Sequence, residues 1–233
     1  MIFPRETWQE HLDSLKWLQG EHMLIAAPTG SGKTDLASQL IERRGYVADF
    51  ITKTKDPIFN TPAYKHWRRI TDWQPGKSPN AFDSRLLLWP RQLETMAETR
   101  DNQRDVFKRC LEDVFKRGGW TLVFDELHYL TDNGFLNLYD DIAILHHMGR
   151  SNNVTLVNLT QRPAWIPKII YSSVSHAYIA RTRDTADLKR LSDLGGVDGK
   201  QIAAAVSQLE SKHDFLYINP MGDKTPVVIN IKK

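Results

Sequence analysis

Apolar residues recur along this chain with two periods, and the switches between them mark out strands and helices. Trp8, Leu12, Leu15 and Leu18 share one helical face, with Thr7 as N-cap, Glu10 three residues on, and Gly20 after the end. Residues 23–27 form a wholly apolar run of strand length, residues 33–43 have helical spacing up to the stop at Gly45, and residues 46–52 read as a second strand. Strand, glycine-bearing loop, helix and strand in that order predict a parallel α/β sheet. Between residues 57 and 79 the periodicity is lost among prolines, aromatics and basic residues. It resumes with a strand at 85–89 and a helix at 103–117, where Val106, Phe107, Cys110, Leu111, Val114 and Phe115 line one stripe and Gly118 is the stop. Residues 121–124 are apolar throughout, as expected of a strand covered on both faces by helices. A helix at 138–148 ends at Gly149, strands follow at 154–160 and 177–181, and helices fall near 186–194 and 200–211. Two last strands, 215–218 and 227–231, flank the turn-like Asn219-Pro220-Met221-Gly222 and predict a C-terminal hairpin. With no repeat, low-complexity tract or long linker, residues 1–233 read as a single domain.

Composition narrows the classes. With 41% hydrophobic and 25% charged residues, the chain is globular rather than disordered or fibrous. A net charge of +3 does not announce a nucleic-acid binder, so any basic surface is local. The longest apolar runs, 23–27 and 86–89, fall far short of the ~20 residues that cross a bilayer. The start, Met1-Ile2-Phe3-Pro4-Arg5-Glu6, has no apolar signal core, so a cytoplasmic location is expected, without membrane insertion. Cys110 is the only cysteine, which rules out an intramolecular disulfide and a cysteine-rich zinc site and places Cys110 in the core.

The most informative octet is Ala27-Pro28-Thr29-Gly30-Ser31-Gly32-Lys33-Thr34. A phosphate-binding loop needs a strand, a loop whose N–H groups turn inward, and a helix whose N-terminus faces the phosphates. Gly30 and Gly32 permit the tight path, Lys33 carries charge to the β and γ phosphates, and Thr34 can ligate Mg²⁺; Pro28, Thr29 and Ser31 complete the ATP cradle. The first glycine of the usual pattern is Ala27 here, which a negative φ at the strand exit would tolerate.

Residues 121–124 then deliver Asp125 and Glu126 to the C-terminal sheet edge, where ligands of open α/β sheets bind. Asp125 suits the Mg²⁺ shell, and Glu126 suits a general base for the attacking water; an acidic pair at this position can also cap a helix. A water-activating base argues against a small-molecule kinase. The strand 154–160 ends at Gln161, whose neutral amide can sit beside the γ-phosphate and help position water.

This ordered set resembles the FtsK/HerA superfamily of P-loop ATPases, ring-forming motors that move DNA. The resembling stretches are 27–34, 122–127 and Leu156-Val157-Asn158-Leu159-Thr160-Gln161-Arg162-Pro163, with 177–181 also fitting. Thr-Gln-Arg-Pro after an apolar strand is the most specific of them. The likeness runs from about residue 20 to 183, while residues 57–100 match no family feature. It implies a RecA-like core of the ASCE type, with the glutamine strand between the P-loop strand and the Asp-Glu strand, so that Lys33, Glu126 and Gln161 meet at one sheet edge. It also implies homo-oligomeric rings in which an arginine reaches a neighbour's γ-phosphate. Arg150, at the end of the helix before the glutamine strand, matches that placement; a cation favoured by the helix dipole is the alternative. Arg162, Arg181 and Arg183 are further candidates.

The economy of the chain resembles viral genome-packaging ATPases, which dock on a capsid portal or vertex. The resulting expectation is an Mg²⁺-dependent, ATP-hydrolysing translocase that packages viral double-stranded DNA in the host cytoplasm. The alternative is a nucleotide switch or assembly ATPase, like those of filamentous-phage assembly, acting on a protein partner. For DNA contact, Lys65, Arg68, Arg69, Lys77, Arg85, Arg91 and Arg100 outnumber Asp72, Asp83, Glu94 and Glu98, and Trp67, Trp73 and Trp89 are interleaved for stacking. A basic face over core tryptophans is the other reading. Lys53, Lys55 or residues 165–168 could equally line a pore. The histidines, including His128, His146 and His147, form no ligand array and read as structural.

Overall fold

Alternate residues of the central strands enter two different cores, and this sets the architecture. A computed structural model describes residues 3–56, 58, 61–76, 84–222 and 224–232. Its strands are β1 (Arg5–Thr7), β2 (His22–Ala26), β3 (Val47–Phe50), β4 (Arg68–Ile70), β5 (Arg85–Leu88), β6 (Thr121–Phe124), β7 (Thr155–Thr160), β8 (Val174–Ala180), β9 (Asp214–Ile218) and β10 (Val227–Asn230). They form one sheet in the order β1-β10-β9-β8-β2-β7-β6-β3-β5-β4. Pairing is parallel except where β9 meets β8 and β10, so the last two strands are the antiparallel pair that the sequence predicts.

In β2, Met23 and Ile25 join one core while Leu24 and Ala26 join the other; in β6, Val123 opposes Leu122 and Phe124; in β7, Val157 and Leu159 oppose Leu156. The first core is capped by α1 (Trp8–Ser14) and α2 (Lys33–Ile41). The second is covered by α3 (Met96–Arg117), α4 (Leu127–Thr131), α5 (Tyr139–Met148), α6 (Lys168–Ser173), α7 (Thr185–Leu191) and α8 (Gly199–Ser207). Both faces are covered, which is why β2, β3, β6 and β7 are buried at every position. Cys110 is fully buried on the α3 stripe.

Three elements depart from the periodicity. The first helix stops at Ser14, and Leu18 is 65% exposed instead of packed. Arg44 donates to the carbonyls of Trp17 and Leu18, and Glu21 accepts from the Leu18 N–H, so this backbone is satisfied without another helical turn. In contrast, α3 begins seven residues before the predicted start, at a Thr95–Glu98 capping box. Its first turns are solvated (Met96 is 92% exposed), so they carry no apolar stripe. The patternless stretch holds the edge strand β4, which adds two arginines beside β5. Pro57, Phe59, Asn60 and residues 77–83, including Lys77 and Asp83, lie outside the described residues.

Two histidines are buried at the foot of this fold. The His146 ring contacts Ser173 Oγ (2.7 Å) and Asn158 Oδ1 (3.3 Å) and lies 4.9 Å from that of His22, which accepts from the Leu156 N–H. Burial pushes His22 down to about 4 and holds His146 well below the ordinary value of 6.5. The unfolded chain therefore binds more protons than the folded one between about pH 6.5 and 4. The stabilisation from keeping these rings neutral is complete above pH 6.5 and is lost as pH falls through that window. His22 alone corresponds to about 2 kcal/mol lost by pH 5. Urea denaturation at pH 7.5 and pH 5 should show the lower midpoint in acid; equal midpoints would contradict the buried-neutral assignment.

Candidate nucleotide-binding site

The loop between β2 and α2 has the backbone of an anion cradle. Gly30 (φ +80°) and Gly32 (φ +87°) adopt left-handed conformations that a side chain resists. Gly32 is doubly constrained: a Cβ there would meet Ile231 Cδ1 at 3.0 Å and His213 Nδ1 at 3.1 Å. Ala27 keeps a negative φ and ends the strand by donating to the Thr160 carbonyl, which accounts for its tolerance where glycine is usual. The loop and the start of α2 wall a cavity of about 580 Å³, of the size that holds a small-molecule cofactor. Pro28, Thr29, Gly30, Gly32, Lys33 and Thr34 line it, with Asp125 and Gln161 opposite; Ser31 is buried beneath the loop. Burial pushes the Lys33 ammonium below its ordinary pKa, and the nearby Asp125 and Glu126 charges act against that shift.

Register brings the other groups here. Val123 pairs with Val157 and Met23 pairs with Val157, so β6, β7 and β2 lie side by side and finish at the same edge. The glutamine strand therefore sits between the P-loop strand and the Asp-Glu strand, the order that the resemblance implies. Asp125 and Gln161 continue the parity of Val123 and Leu159, toward α2 and Lys33. Gln161 Nε2 donates to Glu126 Oε2 at 3.0 Å, and Thr29 Oγ1 donates to Gln161 Oε1 at 2.7 Å. One amide thus links the phosphate loop to the acidic pair. Glu126 holds the N-cap position of α4, but its side chain makes no capping bond. The capping alternative therefore does not describe Glu126.

Three further residues enter the cavity wall without a local signal. Lys53, beyond β3, places Nζ 3.1 Å from Asp125 Oδ2 and 3.3 Å from Asp56 Oδ2. Burial alone would lower the Lys53 pKa, but the two carboxylates outweigh it and raise the value. Lys53, for which a pore-lining role is the alternative, pairs its ammonium with Asp125 here. From the C-terminal strands come His213, near the Ser31 carbonyl, and Lys232, ion-paired with Asp35 of α2. These arise from pairings nearly 200 residues distant, which no motif announces. Thr34 and Asp125 offer hard oxygen donors to one cavity, and the Lys53 ammonium against Asp125 shows that this carboxylate draws a cation; the set fits Mg²⁺.

Arg150 lies elsewhere. It follows α5 and packs beside Gly20, ahead of β2, whereas the P-loop follows β2. The two are separated by the length of a five-residue strand, about 16 Å. Arg150 is exposed and cannot serve its own subunit's site. Arg162 pairs with Asp184 (2.9 Å) and Asp187 (3.2 Å), and its guanidinium lies 5.0 Å from the centre of the Trp165 ring. Of the two readings of the tryptophans in residues 61–100, stacking platform or core, burial bears out the core. Trp67, Trp73 and Trp89 are buried, with the Arg69 guanidinium 4.2 Å over the Trp89 ring, so these tryptophans belong to the core and offer no open faces to bases.

No protein-family model matches the chain, and no curated protein sequence does. The fold is that of the RecA-like P-loop ATPases. The genome-packaging NTPase B204 from Sulfolobus turreted icosahedral virus 2, solved with sulfate, is similar at 15% identity and a TM-score of 0.63, over 92% of this chain and 98% of that one. B204 has also been solved with ATPγS and with AMPPCP. The conjugation coupling protein TcpA of pCW3, solved with ATPγS, is similar at 18% identity and a TM-score of 0.51, over 91% of this chain and 60% of that one. The cytoplasmic domain of the type VII secretion ATPase EccC from Thermomonospora curvata is similar at 16% identity and a TM-score of 0.57, over 91% and 25%. Among the described residues, no helix is long and apolar enough to cross a membrane.

Proposed function

We propose that this chain is the ATP-hydrolysing subunit of a motor that packages double-stranded viral DNA, working as a homo-oligomeric ring at a capsid portal or vertex. The observation that carries the hydrolytic part is the contact between Gln161 and Glu126 beside the P-loop. The loop and Lys33 hold the triphosphate, and Thr34 and Asp125 would hold Mg²⁺. When bound, that ion would neutralise negative charge on the triphosphate. Glu126 accepts the proton of the attacking water, and Gln161 orients that carboxylate while tied through Thr29 to the loop that senses phosphate. Arg150 faces a neighbouring subunit's site. The likeness to a packaging NTPase along nearly the whole of both chains supports the packaging reading over other members of the fold.

DNA contact is assigned to local charge, of which Lys65, Arg68 and Arg69 on the exposed β4 side are the densest group. Phosphate contacts of this kind make binding fall steeply with salt. Turnover should therefore rise on adding double-stranded DNA at low salt, and the stimulation should vanish as salt is raised. Turnover indifferent to DNA, yet stimulated by a protein partner, would favour the switch or assembly ATPase instead.

A further inference from the structure

Lys53 joins the nucleotide site from the loop beyond β3, which carries none of the nucleotide motifs. Its ammonium is shared by two carboxylates, Asp125 at 3.1 Å and Asp56 at 3.3 Å. Their side chains are 10% and 11% exposed, while that of Lys53 is 52% exposed and free to change partner. Asp56 is itself fixed, since its Oδ1 accepts from the Ile58 N–H at 3.0 Å. One partner is thus the carboxylate assigned to the metal, and the other is anchored on the loop just beyond.

Asp125 is buried, and a buried carboxylate needs a counter-charge. An ammonium and a divalent cation cannot both rest against Asp125 Oδ2 without strong repulsion, and Lys33 adds a third positive charge nearby. We propose that Lys53 is a tethered competitor of the divalent cation at Asp125, and that metal–triphosphate binding transfers its ammonium to Asp56 and the terminal phosphate oxygens. This inference rests on the nucleotide-site reading above. The metal alone must displace Lys53 with only Asp56 to receive it, whereas the metal–triphosphate brings a second acceptor. Lys53 thereby couples metal entry to nucleotide entry.

The test is the Mg²⁺ midpoint for metal-dependent binding of a fluorescent ATPγS analogue at saturating nucleotide, read without turnover. Lys53→Met removes the competitor and should lower the midpoint about two- to fivefold, the range of a partly exposed ion pair. Asp56→Asn removes the alternative acceptor and should raise it by a similar factor, so the proposal stays falsifiable if one variant fails to fold. Thr34→Ala, which removes a metal ligand, should raise the midpoint and serves as the control. If Thr34→Ala raises it while Lys53→Met leaves it unchanged or higher, the Lys53 proposal is overturned and the nucleotide site stands. If Thr34→Ala leaves it unmoved, the metal-site reading fails and the Lys53 proposal falls with it.

Discussion

Glu126→Gln should bind ATP as the parent does and hydrolyse it about 100- to 10,000-fold more slowly, the range lost when a positioned general base is removed. The substitution preserves shape and still offers an oxygen to Gln161 Nε2, so the local geometry is kept. What disappears is the capacity to accept a proton. No capping bond is lost either, because the Glu126 side chain makes none, so stability should not change. Equilibrium binding of a fluorescent nucleotide beside single-turnover hydrolysis separates the two effects. A variant that hydrolyses at the parent rate would show that Glu126 is not the base.

The second large effect concerns Arg150. Its position at the N-terminal sheet edge, about one strand length from its own P-loop, means that the catalytic role proposed for Arg150 requires a neighbouring subunit's site. Arg150→Ala should then slow hydrolysis by about 10³- to 10⁵-fold, as for arginines that stabilise a transferring phosphoryl group in trans. Lys33→Ala should also be inactive, for lack of the phosphate-binding cation. Mixed, the two inactive variants should complement one another. An Arg150→Ala subunit keeps its lysine and can be served by the arginine of an adjacent Lys33→Ala subunit. In a head-to-tail ring mixed at random in equal amounts, about a quarter of the interfaces are competent. Turnover that stays at the level of the separate variants would remove Arg150 from catalysis.

The parts of this site that the sequence made legible are those where chemistry and local conformation coincide. Gly30 and Gly32 are required by backbone angles, Lys33 and Thr34 by the helix they open, and Asp125, Glu126 and Gln161 by the strands they terminate. Strand polarity then places all of them at one edge, while the order of β2, β7 and β6 was anticipated from the family resemblance alone. Lys53, His213 and Lys232 were not legible, because they reach the cavity only through the neighbours of β3 and the last two strands. Periodicity failed where structure is made without apolar repetition: in the solvated start of α3, the short edge strand β4, and the six or fewer residues of α4 and α6. The interleaved tryptophans of residues 61–100 left two readings open, and burial bears out the core one. A core and a stacking platform draw on the same residue type, and only burial separates them.

The most direct measurement is a crystal structure of the Glu126→Gln variant with ATP and Mg²⁺. The account predicts an intact triphosphate in the β2–α2 loop, with Lys33 Nζ on its terminal phosphate and the side chains at positions 126 and 161 flanking a water in line with it. A triphosphate bound elsewhere, or one whose terminal phosphate lies beyond the reach of Gln161 and position 126, would contradict it.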